Sequence, residues 1–115
     1  MIYDVRISNQ AEIDLRSIFE YIAYNLRSLQ NAVGQLKRLE ESISSLDQMP
    51  ERFKAYQNEP WHSRGLRVMP VDNYLVFYIP DSQTKSVNVL RVMYGGRDVD
   101  AQLRILTETL HNAEE

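Results

Sequence analysis

The chain has 115 residues, 43% hydrophobic and 25% charged, enough for one modest core and a single domain over residues 1–115. Cysteine is absent and His62 and His111 are the only imidazoles, so disulfides, thiolate chemistry and a His-rich metal site are excluded. The formal net charge of -3 argues against a generic nucleic-acid binder, which carries a strongly basic domain.

The charge is uneven. Residues 1–50 hold five Lys/Arg against seven Asp/Glu, residues 51–98 seven against five, and residues 99–115 one against four. A mildly basic middle on an acidic chain is at most a local anion site. No apolar run reaches the length of a bilayer span and the N-terminus lacks a signal pattern, so a cytoplasmic location is expected, with no membrane partner.

Residues 2–7, "IYDVRI", alternate and predict a half-buried strand with Tyr3, Val5 and Ile7 on one face. Ser8 and Asn9 supply N-cap oxygens, and Glu12 completes a near capping box with Asn9. Ala11, Leu15, Ile18 and Ile22 then recur at helical spacing, widened by Phe19. After a break at Asn25–Ser28, Ala32, Leu36, Leu39, Ile43 and Leu46 predict a second helix that ends by Met49, because Pro50 disfavours helix before it. Two helices joined so tightly form an antiparallel hairpin.

Residues 51–63 lack a period and read as a loop, with Pro60-Trp61 tucking an indole against the core edge. Strands follow near 65–69, 74–79 and 86–94, with connections at Asp72-Asn73 and Pro80-Asp81-Ser82. Their spacing implies an antiparallel meander. Gly95-Gly96 predicts a turn with φ > 0, and Asp98 caps a final helix striped by Leu103, Leu106 and Leu110. The fold class is α+β: an antiparallel sheet with an N-terminal strand, a helical hairpin packed on it, a three-strand meander and a C-terminal helix.

Several residues carry chemistry. Arg64, Arg67, Arg91 and Arg97 lie on or beside strands, where guanidinium groups grip phosphates or carboxylates. For Arg67 and Arg91, pairing with acids across neighbouring strands is an equally good reading. Tyr74, Phe77 and Tyr78 read as strand packing before base stacking, as do Met69 and Met93. Tyr94, at a strand end before Gly95, is the best single functional candidate.

The element order and four segments resemble the RelE/ParE superfamily of toxins from type II toxin–antitoxin systems. The first helix, "AEIDLRSIFEYIA", is similar to the family's "A..DL..I..Y". The second ends "LEESISSLDQMPER", like "I..L...P". The central strands read "RGLRVMPVDNYLVFY", and the last strand, "VLRVMYGGRD", is similar to "I.RI.HGRRD". The resemblance implies a small toxin neutralised by a cognate antitoxin that lays an amphipathic segment or strand on exposed apolar residues. RelE-like members cut mRNA on the ribosome, and ParE-like members block DNA gyrase.

The ribonuclease reading, a metal-independent endoribonuclease without cofactor, needs a base, an acid and cations around the phosphate. Arg67, Tyr94 and Arg97 would be its catalytic residues, with Glu59 or His62 as base. Arg64 and Arg91 would contact the target or an anion. Against it, Tyr74 stands where many RelE-like members have an arginine, and the chain is acidic where ribosome binding rewards positive charge. The ParE-like reading needs only a docking surface and fits better. A member that binds only its antitoxin is the third alternative.

Overall fold

In the computed structural model, residues 2–96, Val99 and 101–103 are described. Strand β1 (Asp4–Ile7) leads into helix α1 (Asn9–Glu20), a π-helical turn (Tyr21–Asn25) and helix α2 (Leu29–Ser44). Two 3-10 turns, Ser45–Asp47 and Pro50–Arg52, lead to the two-residue strand β2 (Lys54–Ala55). Strands β3 (Arg67–Val71), β4 (Tyr74–Asp81) and β5 (Ser86–Tyr94) complete one five-stranded sheet of order β1-β5-β4-β3-β2.

The expected meander is there: β3, β4 and β5 pair antiparallel in sequence order. β1 joins the far side of β5 in parallel, which the helical hairpin permits by carrying the chain back across the sheet. The strand β2 inside the expected 51–63 loop is a difference from the sequence reading. It consists of two residues paired with Val68 and Arg67, too short for any periodicity to show.

Ser8, not Asn9, caps α1: its hydroxyl accepts from the Ala11 amide at 3.0 Å and donates to the Leu90 carbonyl at 3.0 Å. The predicted break between the helices holds Arg27 at φ 53° and Ser28, whose hydroxyl caps α2 by accepting from Asn31 N–H. The second connection falls later than Pro80-Asp81-Ser82 suggests. β4 runs through Pro80 to Asp81, and the Asp81 carboxylate accepts from the Gln83 and Thr84 amides to make the turn. Those backbone bonds hold its carboxyl below the usual carboxylate range.

Alternation along the strands splits the core in two. On one face Leu15, Leu39, Ile43 and Leu46 of the hairpin region pack against Met69, Val76, Tyr78, Val87, Val89 and Val92. On the other, Phe77 and Met93 are covered by Trp61, Leu66 and Leu103. Trp61 is 3% exposed, as Pro60-Trp61 predicted, although its Nε1 finds no hydrogen-bond partner among the described residues. Val99 and Ala101–Leu103 are helical, and the remainder of the predicted final helix, with its Asp98 cap, lies outside the described residues.

Candidate docking groove

A bulge in the β4–β5 ladder shapes the site. Tyr78 stands opposite Val89, but Phe77 stands opposite Arg91, so β5 carries one extra residue there. Two consecutive residues, Arg91 and Val92, thereby turn toward the helices. Arg91 grips Asp14 of α1 through Nε to Oδ2 at 2.8 Å and Nη2 to Oδ1 at 3.1 Å. The Val92 amide donates to the same carboxylate at 2.9 Å. Both side chains are nearly buried. Asp14 completes the edge of β5 where β1 has already ended, opposite Val89.

Asp14 escaped the sequence reading, although a signal existed. It lies three residues after Ala11 and four before Ile18, inside the apolar stripe of α1. A carboxylate there has to find a buried partner. Gln35 and Arg38 occupy the equivalent place on α2. Asp72 accepts from Gln35 Nε2 at 2.9 Å and from Arg38 Nε at 2.8 Å, which ties α2 to the β3–β4 turn. These bonds, Arg38's first, hold the Asp72 carboxyl below its ordinary value.

The expected site residues do not converge. Arg67 donates to the carbonyls of Phe53 at 2.6 Å and Glu51 at 3.0 Å. It stands opposite Tyr78, whereas Tyr94 stands opposite Tyr74, four rungs along and one strand further over. The spacing is roughly 13 Å along the strands and 9–10 Å across them. Arg64 lies over the Trp61 ring, 5.1 Å from its centroid, on the opposite face. Arg91 is spent on Asp14, a helical partner in place of the cross-strand acid considered above. Arg97 lies outside the described residues.

The two candidate bases are also occupied. Glu59 takes hydrogen bonds from the Ser63 hydroxyl and, at 2.7 Å, the Ser63 amide, which hold its carboxyl below the usual range. His62 Nδ1 lies 2.8 Å from the Tyr56 carbonyl. Both belong to the segment that covers the face away from Tyr94.

Tyr94 is half exposed, and its ring meets Tyr74 edge to face at 6.0 Å, a contact worth about 0.5–1.5 kcal/mol. Gly95 and Gly96 do not take the left-handed backbone expected of them; Gly65 is the described glycine that does. Gly96 instead lies against the Tyr94 ring, where a Cβ would come to 2.5 Å from Cε2 unless the ring shifted.

Tyr21, Tyr74 and Tyr94, with Ile18, Leu26 and Val33, line a groove of about 1280 Å³ between the hairpin and the free edge of β5. Leu26, which lines it, is 57% exposed, and at the same end of the hairpin but outside the groove Tyr24 is 71% and Leu29 63% exposed. This matches the expectation of an exposed apolar surface on the hairpin. The π turn produces it: Leu26 N–H reaches back five residues to the Tyr21 carbonyl, which faces Ile22 inward and both tyrosines outward.

A helical hairpin laid on one face of a five-stranded mixed sheet is the fold expected of the RelE/ParE class of toxins. The ParE toxin family of type II toxin–antitoxin systems matches residues 5–99, and the chain belongs to that family. Its fold is that of the chromosomal ParDE system of Pseudomonas aeruginosa, at TM-score 0.66 and 17% identity over 81% of this chain and 96% of that one. The RelBE2 toxin–antitoxin complex of Mycobacterium tuberculosis follows at TM-score 0.58 and 21% identity, over 82% and 99%. The archaeal RelE–RelB complex of Pyrococcus horikoshii matches at TM-score 0.56 and 20% identity, over 84% and 99%. No curated protein matches. The protein is a toxin component of a type II toxin–antitoxin system, with a cognate antitoxin as partner.

Proposed function

We propose that this toxin acts in the ParE manner, by docking on a protein target such as DNA gyrase in the cytoplasm, and not by cutting mRNA. One observation carries the reading: each described arginine of the expected catalytic or anion-contact set already has a partner within the protein. Arg91 belongs to Asp14, Arg67 to two backbone carbonyls and Arg64 to the Trp61 face. A ribonuclease of this kind needs guanidinium groups turned to the scissile phosphate. A docking protein needs an exposed apolar surface, and the hairpin end with its groove supplies one. Docking requires no cofactor.

Purified toxin added to gyrase is expected to block supercoiling of relaxed plasmid, and primer extension on cellular mRNA after induction is expected to show no new cleavage points. New cleavage points in the ribosomal A site, with supercoiling intact, would overturn the proposal in favour of the RelE-like ribonuclease. Growth unaffected by induction without antitoxin would instead identify an inert member.

A further inference from the structure

Two grooves flank the hairpin, and their charges differ. Asp14, Ser17, Ile18, Tyr21 and Ile22 line the groove beside β5. Glu12, Leu15, Arg16, Phe19 and Glu20 repeat that spacing two positions earlier, roughly 200° around the helix, and line a second groove of about 440 Å³. Its floor is apolar: Leu15 is buried, Phe19 and Leu36 are half-buried, and Ile7 at the end of β1 is 37% exposed. In the groove beside β5 every charged side chain is paired, Asp14 with Arg91 and Arg38 with Asp72. In the second groove none of Glu12, Arg16, Glu20 and Glu40 enters an ion pair among the described residues. Three carboxylates against one guanidinium leave an excess of negative charge around the apolar floor.

We propose that this second groove seats a segment of the toxin's protein target in which an apolar side chain stands between basic ones, an inference that rests on the docking reading above. The floor takes an aliphatic or aromatic side chain in place of water, and the rim takes lysine or arginine on either side of it. Glu12 and Glu20 are eight positions apart on α1. That is roughly 12 Å, a distance spanned by about four residues of extended chain or eight of helix. Nucleic acid and anionic lipid present phosphates, which the same carboxylates repel. The groove runs up to Tyr24, part of the hairpin end assigned to the target, so the two form one continuous surface. It lies on the flank of α1 opposite Asp14 and Arg91, so the target docks there without entering the groove beside β5.

The test measures the affinity of the full-length toxin for purified gyrase and for its co-expressed antitoxin. Glu20→Lys with Glu40→Lys reverses the rim, and Glu41→Lys with Glu51→Lys makes the same change in net charge at exposed positions outside the groove. The rim variant is expected to bind gyrase at least tenfold more weakly than wild type, the control to stay within twofold, and both to keep their affinity for antitoxin, which also shows that they fold. Equal weakening by the two variants overturns the proposal, since net charge alone would then account for it. Wild-type affinity in the rim variant also overturns it. A rim variant that loses antitoxin and keeps gyrase assigns the groove to the antitoxin and refutes the target as occupant. Wild-type toxin with no affinity for gyrase overturns the docking reading itself and this proposal with it, so the wild-type measurement separates the two failures.

Discussion

At the residue scale the molecule turns on a few polar side chains placed inside apolar surfaces. Asp14 neutralises Arg91 and satisfies the Val92 amide at once. Removing it leaves a buried guanidinium without a counter-charge, a loss of about 3–5 kcal/mol. Asp14→Ala is therefore expected to lower the urea midpoint sharply, and Asp14→Leu combined with Arg91→Met to recover most of it. A double variant no better than the single one would show that the backbone bond to Val92 dominates. Tyr78 is a second case. Burial pushes its phenol up to about 12, against the smaller opposing pull of Arg67 and Arg52, while its hydroxyl donates to the Pro50 carbonyl at 2.6 Å. A raised pKa means a stabilising contribution that is intact below the ordinary tyrosine value near 10 and is lost as pH climbs toward 12. Alkaline titration followed by tyrosinate absorbance should show one phenol ionising only with unfolding, and Tyr78→Phe should abolish that late step.

At the scale of elements, the proposed docking surface belongs to the hairpin, and the β3–β4 turn carries a polar link to α2. The hairpin end exposes Tyr24, Leu26 and Leu29 without supporting the core. Tyr24→Asp with Leu26→Asp should thus leave the melting temperature nearly unchanged, since exposed substitutions stay within about 0.5 kcal/mol each, yet abolish growth arrest on induction. Retained toxicity would place the target surface elsewhere. The link from α2 to the turn depends on the Asp72 carboxylate, whose pKa is lowered by Arg38 and Gln35. Its contribution is full above the ordinary aspartate value near 4 and is lost as pH falls through the depressed folded value. Acid titration by NMR should show the Arg38 and Gln35 signals shifting together with Asp72, and Asp72→Asn should remove that coupling.

The helices and the three long strands were legible because their apolar periods are strong. β2 was not, being two residues long, and neither was the π turn, since a five-residue step leaves the spacing of Ile18 and Ile22 intact. The glycine pair illustrates a different failure. Gly95-Gly96 looks like a left-handed turn, but neither residue takes that backbone, and the second glycine lies against the Tyr94 ring.

At the scale of the whole molecule, one sheet separates two apolar layers, and the candidate residues are distributed between its faces. Arg64, Glu59 and His62 belong to the layer built around Trp61, and Tyr94 to the layer under the helices. Phe77 packs in the Trp61 layer while its neighbour Tyr78 packs in the other, so the layers share β4 and should melt together. Trp61→Ala is expected to cost about 3–5 kcal/mol and to lower a single calorimetric transition; two separate transitions would show that the layers fold independently.

By itself the sequence determined the α+β class, the helical hairpin, the strand order of the meander and the toxin family, because hydrophobic periodicity and short motifs are local properties of the chain. The tertiary structure alone decided what each described arginine of the candidate set does. Whether a guanidinium is spent or available depends on which carboxylate or carbonyl the fold carries to it. Asp14 and Arg91 are 77 positions apart in sequence and 2.8 Å apart in space. No local pattern encodes that distance, and it turns an expected phosphate-gripping sheet into a braced edge beside a groove.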